Sequence, residues 1–530
     1  MASVAATIAQ VLKAAGVRYM FGYPGGEVVE FLDEARKEGI QFILTRHENA
    51  AAFAAGVTGQ LTGIPGVCVS TLGPGAANMA TGIANAWMDR DPLIAITGQI
   101  TITRAAIATH QVMDLNAFYR PIVKWSVTVE PASAGDIALK AVRTALCERP
   151  GPVHLCLPSN LAKAEAKAPS HCSRVRPRDL MSGAPAEAVS RAAHLIGRSN
   201  RPVVLAGIGA LRANAGKELA RFAEQIQAPV VVAPKAKGII GEDHPLFAGV
   251  LEMLGDELVL RLIESADCIV CCGLDVVELD KPWTFGAPVV HVDALPNVDE
   301  FYHAEEELVG HIGLTLGALR EAVGPAAKWP IESIAEHSKQ LCGLVRRKAQ
   351  GMAPWEVVDV VRRMAPKDTI ASCDVGAHKF LMGQLWTTYL PNSFLVSNGL
   401  SSMGYGLPAA MAAQLVYPDR HVVAVIGDGG FGMYVGELET AARLGLGLLV
   451  VVMCDGCLSL IAMSQERRGL PHYGVSLKGV DLSKVAEGLG AKGMVAETPQ
   501  QVESAVAQWL EHRQLTLVQA IVDPSAYRLR

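Results

Sequence analysis

Short runs rich in Val, Ile, Leu and Cys alternate along this chain with longer stretches whose apolar residues return every three or four positions. Runs of the first kind suit buried strands, and the second kind suits amphipathic helices. Their steady alternation predicts an α/β protein with parallel sheets, built from three segments. The first, 1–165, has predicted strands at 19–22, 42–45, 66–70, 93–97, 124–129 and 153–158, with helices between them. The second, 186–325, has them at 202–206, 229–233, 268–272 and 288–292. The third, 350–525, carries apolar runs at 421–426 and 448–453. A helical pattern over 434–444 joins those two runs, with Val435, Leu438 and Ala442 on one face. A basic, proline-containing stretch around 165–185 and a charged helical stretch, 331–352, read as linkers. A chain of 530 residues is long enough for about three domains.

Candidate chemistry sits where the last two runs end. Gly427-Asp428-Gly429-Gly430-Phe431 follows the first and Cys454-Asp455-Gly456-Cys457 follows the second. In an open parallel sheet, the carboxyl ends of the strands form the ligand-binding edge. Glycines beside Asp428 let backbone N–H groups approach a phosphate closely. Two carboxylates there suit Mg²⁺ bridged to a diphosphate, because Mg²⁺ takes one or two carboxylates plus phosphate and water oxygens. Asp374-Val375-Gly376-Ala377-His378 and Ser397-Asn398-Gly399-Leu400-Ser401-Ser402-Met403-Gly404 also follow predicted strands and are expected at the same edge.

The first segment offers a tight loop, Gly22-Tyr23-Pro24-Gly25-Gly26, and a strand-to-helix turn, Thr71-Leu72-Gly73-Pro74-Gly75. Arg46-His47-Glu48-Asn49 opens a helical pattern over 50–60. By position alone Glu48 is a first-turn carboxylate favoured by the helix dipole. His110-Gln111-Val112-Met113-Asp114 lies in a polar connection, where His110 and Gln111 are ordinary loop residues by position alone.

Composition removes several classes. A net charge of −5 without a long charged block argues against nucleic acid or anionic membrane as the partner. No apolar run is long enough to span a bilayer and the N-terminus lacks signal-peptide features, so a cytoplasmic protein is expected. Most of the eleven cysteines lie in apolar runs such as Val67-Cys68-Val69 and read as small buried hydrophobes. Cys268/Cys271 and Cys454/Cys457 have CxxC spacing, but no second ligand pair accompanies either, so neither zinc nor redox chemistry is expected. Gly207-Ile208-Gly209 is a fragment of a dinucleotide loop with Arg212 where its last glycine belongs, so the middle segment reads as scaffold.

Over nearly the whole chain these motifs resemble the thiamine-diphosphate-dependent 2-oxo acid decarboxylases and carboligases. Acetolactate synthases, pyruvate oxidase and benzoylformate decarboxylase belong to that family. The likeness rests on Gly427-Asp428-Gly429, then 24 residues, then Cys454-Asp455 where the family has an asparagine pair. Arg46-His47-Glu48 and the Gly22–Gly26 loop add to it. The resemblance implies a pyrimidine-binding domain over 1–165, a central domain over 186–325 and a diphosphate-binding domain over 350–525. It implies Mg²⁺ on Asp428, Asp455 and the carbonyl of Cys457. Gly376, Ala377, His378, Gly427, Gly429, Gly430 and Leu458 would line the cofactor. Met403 would support its bend, and the backbone of Ser401 and Met403 would bond the pyrimidine edge. Glu48 would contact the pyrimidine N1′ and promote loss of the thiazolium C2 proton, with Gln111 as its catalytic companion. Gly25, Gly26, His110 and Gln111 would face the substrate. In this family the glutamate and the diphosphate site come from different subunits, which implies a homodimer or homotetramer.

Local features divide on the subfamily. Asp455 matches the FAD-independent, catabolic acetolactate synthases, as do Ser397-Asn398-Gly399 and Glu437-Leu438-Glu439-Thr440-Ala441. Glu27 stands where that type has lysine, which is closer to the FAD-containing biosynthetic synthases. Yet 458–468 lacks their tryptophan and the flavin signature of the middle domain is missing, so FAD is not expected. The adjacent histidines of benzoylformate decarboxylase are not found, and Leu72-Gly73 lies near that position. Three readings stay open: an acetolactate-synthase-like carboligase acting on pyruvate, a non-ligating 2-oxo acid decarboxylase or other lyase, and an inactive cofactor-binding partner subunit.

Overall fold

The structure, a computed structural model, describes residues 2–107, 109–167, 182–325 and 329–527. Most of the expected 165–185 linker therefore lies outside the described residues. Three six-stranded sheets follow one another along the chain. The first holds β1 (Tyr19–Tyr23), β2 (Gln41–Leu44), β3 (Gly66–Ser70), β4 (Leu93–Gln99), β5 (Trp125–Thr128) and β6 (Pro152–Pro158) in the order 2-1-3-4-6-5. The second holds β7 (Pro202–Ala206), β8 (Val230–Val232), β9 (Phe247–Val250), β10 (Cys268–Cys272), β11 (Val289–Asp293) and β12 (Glu306–Val309) in the order 12-11-10-7-8-9. The third holds β13 (Ile370–Cys373), β14 (Phe394–Val396), β15 (Val422–Gly427), β16 (Leu449–Cys454), β17 (Lys492–Ala496) and β18 (Thr516–Ile521) in the order 14-13-15-16-18-17. Every strand pairing is parallel.

The first and third sheets share one strand order, counted from their own first strands. Each has a switch point where the chain reverses direction across the sheet, between β1 and β3 and between β13 and β15. Crevices of this kind are where open α/β sheets bind ligands. The runs that form the inner strands are apolar throughout because helices cover both faces. Val422 to Val425 and Leu449 to Val452 are all buried.

The two matched sheets are joined by the helix Glu48–Thr62, of which only Gln60 and Thr62 escape full burial. Its alanines and glycines let it lie close to the helix Gly406–Val416, and Ala51, Ala55 and Ala409 to Ala413 share one core with both sheets. A helix that is apolar on every side is a core helix. Three expectations shift. The pattern over 434–444 forms a shorter helix, Glu437–Arg443, after a separate helix Asp428–Met433 that begins at the glycine loop itself. The 331–352 stretch is helical only over Ile331–Val345. Strands β9, β12, β17 and β18 were not expected: β9 has a register shift and a glycine at φ +115°, β12 is an edge strand opening on two glutamates, and β17 and β18 carry Lys492, Gly493 and Gln519 within their runs. No helix among the described residues is long and apolar enough to cross a membrane.

His154 on β6 is fully buried, bonded to Thr97 Oγ1 and Ser126 Oγ at 2.8 Å each. Burial pushes its imidazole down from 6.5 to about 3. A base depressed in this way contributes stability that is full above pH 6.5 and is lost as the pH falls toward 3. Comparing the pH 7 to 4 thermal profiles of wild type and His154→Gln, we expect the variant to fall less by about 3 kcal/mol. Parallel profiles would rule out this contribution.

Candidate active site

The edge between β13 and β15 carries a cavity of about 220 Å³. Asp374 directly follows β13, Asp428 follows Gly427 at the end of β15, and Asp455 directly follows β16. All twelve positions expected around the cofactor line this one cavity: Gly376, Ala377, His378, Ser401, Met403, Gly427, Asp428, Gly429, Gly430, Asp455, Cys457 and Leu458. Sequence reasoning missed Val375, Met453, Ser459, Leu460, Ile461 and Tyr527, which line it too. The first five neighbour motif residues. Tyr527 comes from the far end of the chain and has no local signal.

The two carboxylates are pinned by the loops around them. Asp428 Oδ1 accepts from Gly429 N at 2.8 Å and Oδ2 from Gly456 N at 2.9 Å. Asp455 Oδ1 accepts from Cys457 N at 2.9 Å and Oδ2 from Ser459 Oγ at 2.6 Å. Gly456 sits at φ +69°, a region that favours glycine, and lets the chain turn back toward Asp428. Burial raises both carboxyl groups, and the charge of Asp428 raises Asp455 further. A cation between them would relieve that repulsion. Among the described residues no group of three or more His, Cys, Asp or Glu side chains could hold a metal. The set therefore fits a hard cation that takes its other ligands from a diphosphate, a carbonyl and water.

The rest of the cavity fits a diphosphate cofactor. His378 is buried and its Nε2 has no partner, leaving a polar atom toward the cavity it lines. Burial lowers its imidazole to about 4, so it is neutral at pH 7. A methyl at Gly429 would stand 3.1 Å from Leu458 and 3.2 Å from Met403, so the missing side chain opens the space between them. Asp374 is fully buried and accepts from Gly404 N and Tyr405 N at 3.0 Å each, fixing the backbone beside Met403. Ser401, at φ +51°, takes a hydrogen bond from buried Lys379 Nζ at 3.0 Å. Asn398 N and Gly399 N donate to Asp89 of the first unit.

Glu48 lies elsewhere. It opens the core helix at the end of β2, is 8% exposed, and its Oε2 accepts from Asn78 Nδ2 at 3.0 Å. A methyl at Gly75 would lie 3.0 Å from its Oε1. Gln111, in the left-handed region at φ +59°, packs on Gly73 of the same turn. Gly25 is pressed against Thr71, whose hydroxyl donates to Glu27 at 2.7 Å. Glu48, Gln111 and Gly25 thus gather at the edge of the first sheet, where Gly26, opening the short 3-10 helix Gly26–Val28, and His110 are exposed. Among the described residues, none that lines the third sheet's cavity comes from the first unit. The two clusters therefore lie on two matched sheets of one chain.

Fold and cavity define an α/β enzyme built around a diphosphate-bearing cofactor. Residues 2–118 match the thiamine pyrophosphate enzyme N-terminal TPP binding domain, 189–319 its central domain and 374–520 its C-terminal TPP binding domain. A probable acetolactate synthase large subunit of Methanocaldococcus jannaschii is 31% identical over 98% of this chain and 92% of its own length. A catabolic acetolactate synthase of Raoultella terrigena is 32% identical over 94% of the chain and 90% of its own. The putative thiamine pyrophosphate-containing protein YdaP of Bacillus subtilis is 30% identical over 97% and 90%. The chain belongs to the thiamine pyrophosphate enzyme family.

Proposed function

We propose that this enzyme decarboxylates a 2-oxo acid, pyruvate first, and joins the two-carbon unit to a second 2-oxo acid, as an acetolactate synthase does. The observation that carries the reading is the convergence of twelve motif residues on one cavity at a sheet switch point. Relatives named acetolactate synthase, matched over most of both chains, supply the choice of reaction. When bound, thiamine diphosphate supplies the carbon nucleophile and the electron sink that release CO₂.

The chain's own residues bind, orient and move protons. Asp428, Asp455 and the Cys457 carbonyl would hold Mg²⁺, and His378 with the Gly429 and Gly430 backbone would hold the diphosphate. Met403 would support the cofactor, and the backbone of Ser401 and Met403 would bind its pyrimidine. Glu48 would be the group that holds a proton toward the pyrimidine ring, and Gln111 would face the substrate. Because no described residue of the first unit lines the cavity, a second copy would complete each site in a homodimer or a pair of dimers. Exposed apolar residues surround both halves, Ile102, Ile107 and Met113 near one and Ile461, Leu470 and Tyr473 near the other, as a mating surface requires. The central unit works without FAD in this reading. At the turn after β7, Glu278 Oε2 accepts from Ile208 N at 2.9 Å, so the chain's own carboxylate fills the anion position there.

Incubation with pyruvate, thiamine diphosphate and Mg²⁺ is expected to yield acetolactate. Acetaldehyde alone would favour a non-ligating decarboxylase. No product from a broad 2-oxo acid panel, with cofactor bound, would leave a binding subunit. Asp455→Asn is expected to keep cofactor affinity within about tenfold, since an amide still offers oxygen to the metal and one repelling charge is gone. A larger loss in a cofactor titration would show that the second charge itself is required.

A further inference from the structure

The turn from Tyr434 to Glu437 reaches out of the third unit and grips the segment that carries Glu48. It directly follows the helix Asp428–Met433. Glu437 is 0% exposed, and its Oε1 accepts from the backbone N–H of Arg46 at 2.9 Å and of His47 at 3.0 Å. These are the two residues before Glu48. The Tyr434 hydroxyl accepts from the side-chain amide of Asn49, the residue after Glu48, and the Tyr434 ring stands edge-on to His47 at 5.4 Å. The same ring fills the space beside Gly404, next to Met403, where a methyl on Gly404 would collide with it.

Burying a carboxylate is costly unless good donors surround it. A staple between the two units does not need that expense, because Arg46 and Glu439 already form an ion pair at 2.7 Å on the surface nearby. What the buried group adds is direction. Charge-assisted bonds to two successive N–H groups fix the backbone orientation of the residues that lead into Glu48. The helix's own cap, His47 Nδ1 accepting from Asn49 N at 3.1 Å, sits on the backbone that Glu437 holds.

We propose that Glu437 is a positioning residue for Glu48, holding the Arg46-His47 backbone so that the Glu48 carboxylate keeps its place beside Asn78 and Gly75. The proposal rests on the reading of Glu48 as the group that shares a proton with the pyrimidine N1′. The contact joins residues 391 positions apart, so a catalytic helix of one unit takes its alignment from a turn of another.

The test uses full-length protein with thiamine diphosphate and Mg²⁺, reading C2–H exchange of bound cofactor, cofactor Kd and thermal midpoint. Glu437→Ala is expected to slow exchange roughly 10–100-fold, the scale of a misplacement of about 1 Å, with Kd within about threefold. Glu437→Gln, whose amide oxygen accepts the same two N–H groups, is expected to restore most of the rate. Glu439→Gln breaks the neighbouring surface pair and is expected to exchange as wild type does. Wild-type exchange in Glu437→Ala overturns the proposal, and so does a Gln variant as slow as Ala. If Ala prevents folding, Glu437→Asp, one methylene short of its donors, carries the same expectation and the same overturning result. Glu48→Gln is run beside them. If it exchanges normally, the reading of Glu48 fails and the proposal with it. If it is slow while Glu437→Ala is not, only the proposal fails.

Discussion

Glu48→Gln is expected to slow C2–H exchange of bound thiamine diphosphate by about 10²–10⁴-fold, the usual contribution of a positioned acid–base group. Gln preserves the volume of the side chain and an oxygen for the Asn78 amide, which now bonds Glu48 Oε2 at 3.0 Å. The fold should therefore be unchanged. What Gln cannot do is share an acidic proton with a ring nitrogen. Cofactor affinity is expected to stay within about threefold, because the substitution leaves the proposed Mg²⁺–diphosphate contacts at Asp428 and Asp455 untouched. Exchange is read by proton NMR after timed quenching in D₂O, and affinity by titration. Undiminished exchange would remove Glu48 from the chemistry. The same variant tests the assembly. Glu48→Gln and Asp428→Ala lesion opposite halves of a site, so mixing the two inactive proteins should restore activity if the halves come from different subunits. Mixtures as inactive as their parents would place both halves within one chain.

The parts of this enzyme that were legible in sequence are those governed by neighbours in sequence. Apolar runs at 421–426 and 448–453 marked β15 and β16, and their ends placed Asp428 and Asp455 at the ligand edge. Glycine spacing marked the loops between them. Edge strands such as β12, with two exposed or half-buried glutamates, lack the apolar run that makes inner strands visible. The helix expected over 434–444 begins only at Glu437, after Tyr434, whose hydroxyl and ring meet Asn49 and His47 far away in sequence. Periodicity sees one element at a time and cannot register such a contact. Tyr527 in the cofactor cavity and Lys379 behind Ser401 escaped for the same reason.

Gly430→Ala is expected to weaken cofactor binding by about 5–150-fold, which is 1–3 kcal/mol of overpacking transmitted to the site. A methyl at Gly430 would collide with Asp374 Oδ2. Asp374 cannot simply swing aside. It is fully buried, and its oxygens hold Gly404 N and Tyr405 N. Releasing them would leave two buried N–H groups unpaired, at about 1–3 kcal/mol each. The methyl must therefore push either the glycine loop that carries Asp428 or the backbone that carries Met403. Both line the cavity, so either outcome misplaces the cofactor. Gly432, in the same helix Asp428–Met433, has nothing within 4 Å of where its methyl would go. Gly432→Ala is thus expected to bind cofactor normally and to gain about 0.5–1 kcal/mol from the stiffer helix. Calorimetric titration with thiamine diphosphate and Mg²⁺, alongside thermal melts, separates the two. Equal cofactor affinity in both variants would mean that Asp374 yields without cost, and that the glycine loop owes its composition to phosphate approach alone.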